Sequence, residues 1–205
     1  MTPVSVGIDL FWIPLGAGGT GFVRLNGRIY EAARALLEKR TRCDLYHTAL
    51  QVRVPEGQFI VENAWPSPNS NTASRGVVAE GPVFGHWMAR MRPFRYEVRR
   101  WRDGIVADID AAVASPEVVS EDPEVARRLL DLVPVVPPLI WGRDELETGD
   151  MWNSNSVIAW LLAASGLSMD GIRPPTGGRV PGWHAGLAAF QRCPVEGSAA
   201  VGGTG

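Results

Sequence analysis

The fold is decided by a stretch that reads Tyr46-His47-Thr48-Ala49-Leu50-Gln51-Val52, then a Pro55-Glu56-Gly57 turn, then Phe59-Ile60-Val61-Glu62-Asn63-Ala64-Trp65-Pro66. Two β-rich runs around a short glycine-containing turn predict a β-hairpin over residues 44–54 and 58–65. A second stretch begins at Asp150-Met151-Trp152-Asn153-Ser154-Asn155-Ser156 and opens the apolar run Val157-Ile158-Ala159-Trp160-Leu161-Leu162. It predicts a buried helix over 153–165 that is closed by Gly166.

The rest of the chain predicts further helices and strands around these two stretches. Asn26 and Asp122 are helix-capping residues, and prolines or glycines interrupt the pattern elsewhere. The expected elements are a strand over 4–15, a glycine-rich loop over 16–21, a helix over about 27–40, a long surface loop over 66–82, one or two strands over 94–109 broken at Asp103-Gly104, a helix over 123–133 and an extended arm over 170–193.

Length and composition bound the class of protein. A chain of 205 residues that is 45% hydrophobic predicts a single globular domain over 1–193, with a small polar tail over 194–205 expected to be disordered. It contains no apolar run long enough for a membrane span, and Asp9 interrupts the first apolar stretch, so we expect no signal peptide and a cytoplasmic location. A net charge of −2 gives no reason to expect nucleic-acid binding.

The sequence predicts neither a metal site nor an organic cofactor. The three histidines lack ligand spacing, and Cys43 and Cys193 lie far apart in the chain. The glycine-rich loop also lacks the ending of a phosphate-binding loop. One local basic cluster spans Arg90–Arg102, and because aromatic and apolar residues alternate with its arginines, we interpret it as an exposed strand face. The alternative is a basic adaptor surface.

The hairpin predicts a histidine with an orienting partner. A turn centred on Glu56 pairs Val54 with Gln58, which places His47 opposite Trp65 and diagonal to Asn63. A carboxamide that accepts a hydrogen bond from one imidazole nitrogen would leave the other as a base. A slip of one residue would bring Glu62 to that face instead, so Glu62 is the alternative orienter. The competing interpretation makes His47 a core histidine.

The start of the 153–165 helix predicts a nucleophile position. Amides in a first helical turn have no partner within the helix and favour negative charge, so Ser154 would gain an oxyanion site from its own N–H. Asn153, Asn155 and Ser156 would border that site. Equally, Asn153 and Ser154 are good helix caps and could serve the fold alone. Trp65 and Trp152 are interpreted as core or cleft wall.

These residues together resemble the permuted papain-like superfamily, which includes the NlpC-type, lecithin:retinol acyltransferase-like, PPPDE and YiiX-type proteins. His47-Thr48-Ala49-Leu50-Gln51-Val52 with Ile60-Val61-Glu62-Asn63-Ala64-Trp65 is similar to the catalytic histidine strand and the strand ending in Asn-Ser-Trp. Asn153-Ser154-Asn155-Ser156-Val157 is similar to the helix start that carries the nucleophile. The resemblance covers residues 44–66 and 145–166 and implies an α+β fold, with helices packed on a mostly antiparallel sheet.

The resemblance implies a hydrolase or acyltransferase that acts on an amide, ester or thioester of a small molecule or peptide. Ser154 would attack the carbonyl, His47 would move the proton and Asn63 would hold the imidazole. The chain departs from the family at the nucleophile, where serine replaces the usual cysteine. Two hypotheses follow: a working serine enzyme, or an inactive binding module with a groove shaped by residues 66–82 and 170–193. The oligomeric state is left open.

Overall fold

The computed structural model describes residues 5–17, 31–32, 35–36, 39–64, 76–106 and 108–193. Its centre is a seven-stranded sheet in which six strands follow the order β4-β5-β3-β2-β1-β6, all antiparallel, while β7 pairs with β2 in parallel. The strands are β1 Gly7–Pro14, β2 Asp44–Val54, β3 Gly57–Ala64, β4 Val77–Pro82, β5 Arg95–Arg102, β6 Val113–Ser120 and β7 Gly178–Arg179.

Three helices have their full extent in the described chain: α1 Pro123–Leu132, α2 Ser154–Ala164 and α3 Trp183–Arg192. The Asp122 side chain caps α1 by accepting the N–H groups of Glu124 and Val125. Almost every residue of α2 is buried, which matches its apolar sequence. Residues 31–32 and 35–36 are also helical, and the rest of the helix expected over 27–40 lies outside the described residues.

The sheet has two buried faces, and alternation along the strands assigns each residue to one of them. On the first face Leu50 and Val61 join Leu129 and Ile158 in the large core that includes α1 and α2. The opposite face carries a smaller cluster of Phe11, Ile13, Ala49, Ile60 and Val106. The position of a β2 side chain therefore depends on whether its residue number is odd or even.

The expected α+β class with a mostly antiparallel sheet is confirmed, as are the hairpin and the helices after Asp122 and Asn153. Two expectations are wrong. Residues 77–82, expected to be loop, form β4, because Val77–Pro82 finds hydrogen-bonding partners along β5. The arm is not extended throughout, because residues 183–192 form α3. In addition, the structure contains the strand β6, which was not predicted from the sequence. Residues 66–75 and the 194–205 tail lie outside the described residues.

The arginines of the Arg90–Arg102 cluster have mostly structural partners. Arg99 is buried and pairs with Glu62 and Glu97 on one side of β5. Arg100 points to the other side and donates to the Leu130 carbonyl in α1. The exposed strand face expected here is wrong, because Tyr96–Arg99 is buried on both sides of the sheet. The basic adaptor surface is wrong for β5 as well, since its arginines do not converge on one exposed face.

Candidate functional site

The start of α2 is a closed hydrogen-bonded structure. Asn153 is the N-cap, and its side-chain oxygen accepts the N–H of Asn155 at 2.9 Å. The Ser156 hydroxyl accepts the N–H of Asn153 at 3.0 Å, which completes a capping box. The same hydroxyl lies 2.7 Å from the Gly182 carbonyl oxygen, to which it donates. These side chains therefore satisfy the backbone of the helix and of the arm.

Asn155 joins three parts of the fold. Its amide nitrogen donates to the Tyr46 carbonyl at 3.0 Å and to the Pro181 carbonyl at 2.8 Å, while its oxygen accepts the Thr48 hydroxyl at 3.0 Å. The residue is 3% exposed. Because every polar atom of this buried amide has a partner, Asn155 holds β2, α2 and the arm together and has no donor left for an oxyanion.

Asp150 fixes the arm from the other side. Both of its carboxylate oxygens accept the N–H of Gly182 at 2.8 Å. Gly182 has φ of 92°, and a Cβ built there would lie 2.2 Å from the Asn153 side-chain oxygen. Only glycine fits this turn, since a side chain would meet both backbone strain and the N-cap residue.

Trp152 belongs to the core and not to a cleft. It is 1% exposed and donates its indole N–H to the Tyr96 hydroxyl at 3.0 Å. Burial raises the pKa of Tyr96 well above its usual range, so the phenol stays neutral. Trp65, the other expected wall residue, lies outside the described residues.

The hairpin register differs by one residue from the expected one. Val54 pairs with Gly57 and Leu50 with Val61, so Asn63 is on the face of Val61 while His47 is on the opposite face. The expected orienter is therefore wrong. The observed loop contains only Pro55 and Glu56, because Val54 pairs directly with Gly57. The expected loop, centred on Glu56, was one residue longer. The side-chain amide of Asn63 is buried, and within the described chain it has no hydrogen-bond partner.

Glu62, the alternative orienter, does lie on the face of His47, but Arg99 binds its carboxylate at 3.0 Å. His47 pairs across the sheet with Ile13 of the smaller cluster. Burial lowers the pKa of His47, and the nearby Asp108 carboxylate partly opposes that shift. Among the residues that the structure describes, Asp108 supplies the charge that acts on this imidazole.

His47 and Ser154 do not meet. Thr48, the residue after His47, contacts Asn155, the residue after Ser154, on the first face of the sheet. His47 therefore points to the opposite face, and the sheet lies between the imidazole and the helix start. The serine, histidine and asparagine of the expected catalytic site are not brought together.

A cleft of about 560 Å³ opens beside this region, under the arm. Its polar wall includes Asp170, Arg173, Arg179 and His184, and its apolar wall includes Trp183 and Leu187. Trp183 also packs against Trp12, with ring centroids 5.6 Å apart. The sequence signal for these residues was the run of prolines and glycines over 174–182, which marks a segment bent around a surface.

Two acids at this cleft are already engaged. Asp150 accepts the Gly182 amide, as described above. Glu31 accepts hydrogen bonds from Arg40 and from the Cys43 amide, and the bond from Arg40 lowers the pKa of Glu31 to about 2. The Cys43 thiol donates to the same carboxylate at 3.2 Å, and burial raises its pKa, which disfavours the nucleophilic thiolate. The remaining acid of the lining is Asp170.

Within the described residues no group of three or more histidine, cysteine, aspartate or glutamate side chains could hold a metal ion. The same residues include no helix that is long and apolar enough to cross a membrane. Comparisons with protein-family models, curated proteins and solved structures found no match to this chain.

Proposed function

We propose that this chain is a binding protein without hydrolytic activity, and that its ligand occupies the cleft under the arm. The observation that carries the proposal is the position of the sheet between His47 and Ser154, because a serine nucleophile needs a base within hydrogen-bond reach. The side chains next to Ser154 are committed to the fold, whereas the cleft is open and has a mixed polar and apolar lining.

The frame itself is proposed to be a permuted papain-like one that has lost its catalytic pair. Support comes from the order of elements, with the histidine strand β2 preceding the helix that starts at Ser154, and from the packing of that helix on the β2–β3 hairpin. In this proposal the helix start keeps its polar residues because they tie β2 to the arm that shapes the binding cleft.

The lining favours a small amphipathic ligand with one anionic group. Arg173 and Arg179 are the cationic groups of this lining, which also contains Asp150, Asp170 and Glu31, the last of which is already paired with Arg40. Guanidinium groups bind carboxylate, sulfonate or phosphate well. Trp183, Leu187 and the other apolar side chains of the wall would contact the apolar body of such a ligand.

A serine-reactive fluorophosphonate tests the absence of hydrolase chemistry. We expect any labelling of the native chain to be independent of Ser154, so that Ser154→Ala does not reduce it. His47→Ala should likewise leave the labelling unchanged. Labelling that disappears in both variants would overturn the proposal, because it would require the two side chains to act together.

The cleft itself is tested with 1-anilinonaphthalene-8-sulfonate, a fluorescent probe with an apolar body and one anionic group. We expect Arg173→Ala to weaken probe binding about fivefold or more, since a hydrogen bond to a charged group is lost. Arg127→Ala is the matched control, because Arg127 lines a separate cavity of about 290 Å³ on α1. The assignment of the ligand site would be contradicted if both variants weakened probe binding equally, or if neither variant weakened it.

A further inference from the structure

We propose that the β4–β5 connection, residues 84–93, docks on anionic phospholipid surfaces. This connection, called the docking loop below, exposes three large apolar side chains within eight residues. Phe84 is 61% exposed, Trp87 is 73% exposed and Met91 is 47% exposed. Apolar side chains of this size are rarely exposed together on a monomeric protein unless they meet a partner surface.

The docking loop is preformed. Two short 3-10 turns, at Met88–Arg90 and Arg92–Phe94, hold its backbone. The Phe84 ring packs edge-on against Phe94, with ring centroids 6.3 Å apart, although Phe84 has a left-handed backbone with φ of 66°. Because the two turns and the Phe84–Phe94 contact already give the loop a defined shape, docking would require little ordering.

The charge of the docking loop selects an anionic partner. The sequence from Val83 to Tyr96 contains no aspartate or glutamate, and Arg90 and Arg92 are both exposed. On the neighbouring strands Glu80 is bound to Arg95, while Glu97 is bound to Arg99 and also lies 3.9 Å from the Arg92 guanidinium. Glu145 approaches His86 at 3.5 Å. Arginines thus flank the apolar side chains.

A bilayer surface fits this combination better than a peptide does. Tryptophan and arginine both favour the boundary between lipid headgroups and acyl chains, where a ring is half buried and a cation meets lipid phosphate. The apolar side chains protrude, and no residue of the docking loop lines either of the two cavities described above. A peptide ligand would need a groove for its side chains, whereas a lipid surface accepts protruding ones.

Co-sedimentation of the full chain with lipid vesicles tests the proposal. We expect binding to vesicles of mixed phosphatidylcholine and phosphatidylglycerol, weaker binding to phosphatidylcholine alone, and a loss of affinity as salt is raised. Trp87→Ser should weaken binding to the mixed vesicles about tenfold, because the variant loses an aromatic side chain that the bilayer would bury. Arg90→Ala should weaken it about fivefold, and Arg90→Lys should keep it.

Ile105→Ser is the matched control. Ile105 is 75% exposed but lies on the β5–β6 connection, so its replacement should leave vesicle binding unchanged. Absence of binding to the mixed vesicles, equal binding to both lipid compositions, or unchanged binding by Trp87→Ser would overturn the proposal. Sedimentation velocity without lipid addresses self-association. A dimer that Trp87→Ser dissociates would also overturn it, because a second copy of the chain would then cover the docking loop.

Discussion

The Thr48 hydroxyl donates a hydrogen bond to the side-chain oxygen of Asn155 at 3.0 Å, and this contact orients both β2 and α2. It places Thr48 on the face of the sheet that α2 covers, so the preceding His47 points to the other face. Polar residues with the composition of a catalytic helix start therefore hold the sheet, the helix and the arm together.

Asn155→Ala should lower the free energy of unfolding by about 3 kcal/mol, because the Thr48 hydroxyl and the buried Tyr46 carbonyl lose this partner and the Pro181 carbonyl keeps only the Asn153 amide. Ser154→Ala, one position earlier in the same turn, is the matched control and should change it by less than about 0.5 kcal/mol. Urea unfolding of the two variants measures the difference. Similar losses in both would mean that the helix start is not held by Asn155.

His47 should make the protein less stable in mild acid. An unfolded histidine takes up a proton near pH 6.5, whereas burial lowers the pKa of His47 in the folded protein. Between these two pKa values the unfolded chain binds more protons, so stability is full above pH 6.5 and falls as the pH decreases toward the folded value.

His47→Gln should remove that contribution, which is at most about 1.4 kcal/mol per pH unit for one proton. Urea unfolding over a pH series measures both proteins. If the substitution steepened the acid loss of stability, His47 would carry a favourable charge in the folded state and the lowered pKa assigned to it would be incorrect.

The sequence was sufficient for elements with strong local signals. Asp122 and Asn153 mark the starts of α1 and α2, and both caps form as expected. The hairpin strands were also evident from their composition. Their register was not, because it depends on the turn conformation after Val54, and a difference of one residue exchanges the two faces.

The expected catalytic site does not form, and the one-residue difference in hairpin register is only the first of two reasons. Motif order along the chain cannot say on which face of a sheet a side chain lies, and His47 and Ser154 come from distant segments. The cleft was less visible still, since α3, which lines it, has a weak local signal and forms through packing on α2.

Arg99→Ala should destabilise the protein by about 3–5 kcal/mol, because it leaves the Glu97 carboxylate buried without its main cation. Glu97 is 0% exposed, so water cannot replace the guanidinium. Arg127→Ala removes an exposed pair with Glu56, which solvent screens, so it should cost far less. Thermal and urea unfolding of both variants measure the contrast, and equal costs would indicate that Glu97 is solvated.

Gly186→Ala should destabilise the contact between α2 and α3, although alanine is the better helix former. A Cβ at Gly186 would lie 2.2 Å from the Ser156 carbonyl oxygen, so α3 would have to move away from α2. We expect this overpacking to cost about 1–3 kcal/mol and to exceed the propensity gain of about 1 kcal/mol. Because α3 carries Trp183 and Leu187, probe binding in the cleft should weaken in the same variant.

Ala188→Gly, two residues later, measures propensity alone and should cost about 1 kcal/mol without affecting the cleft. A higher melting temperature for Gly186→Ala would show that the two helices can separate without loss, and that the cleft does not depend on their close approach.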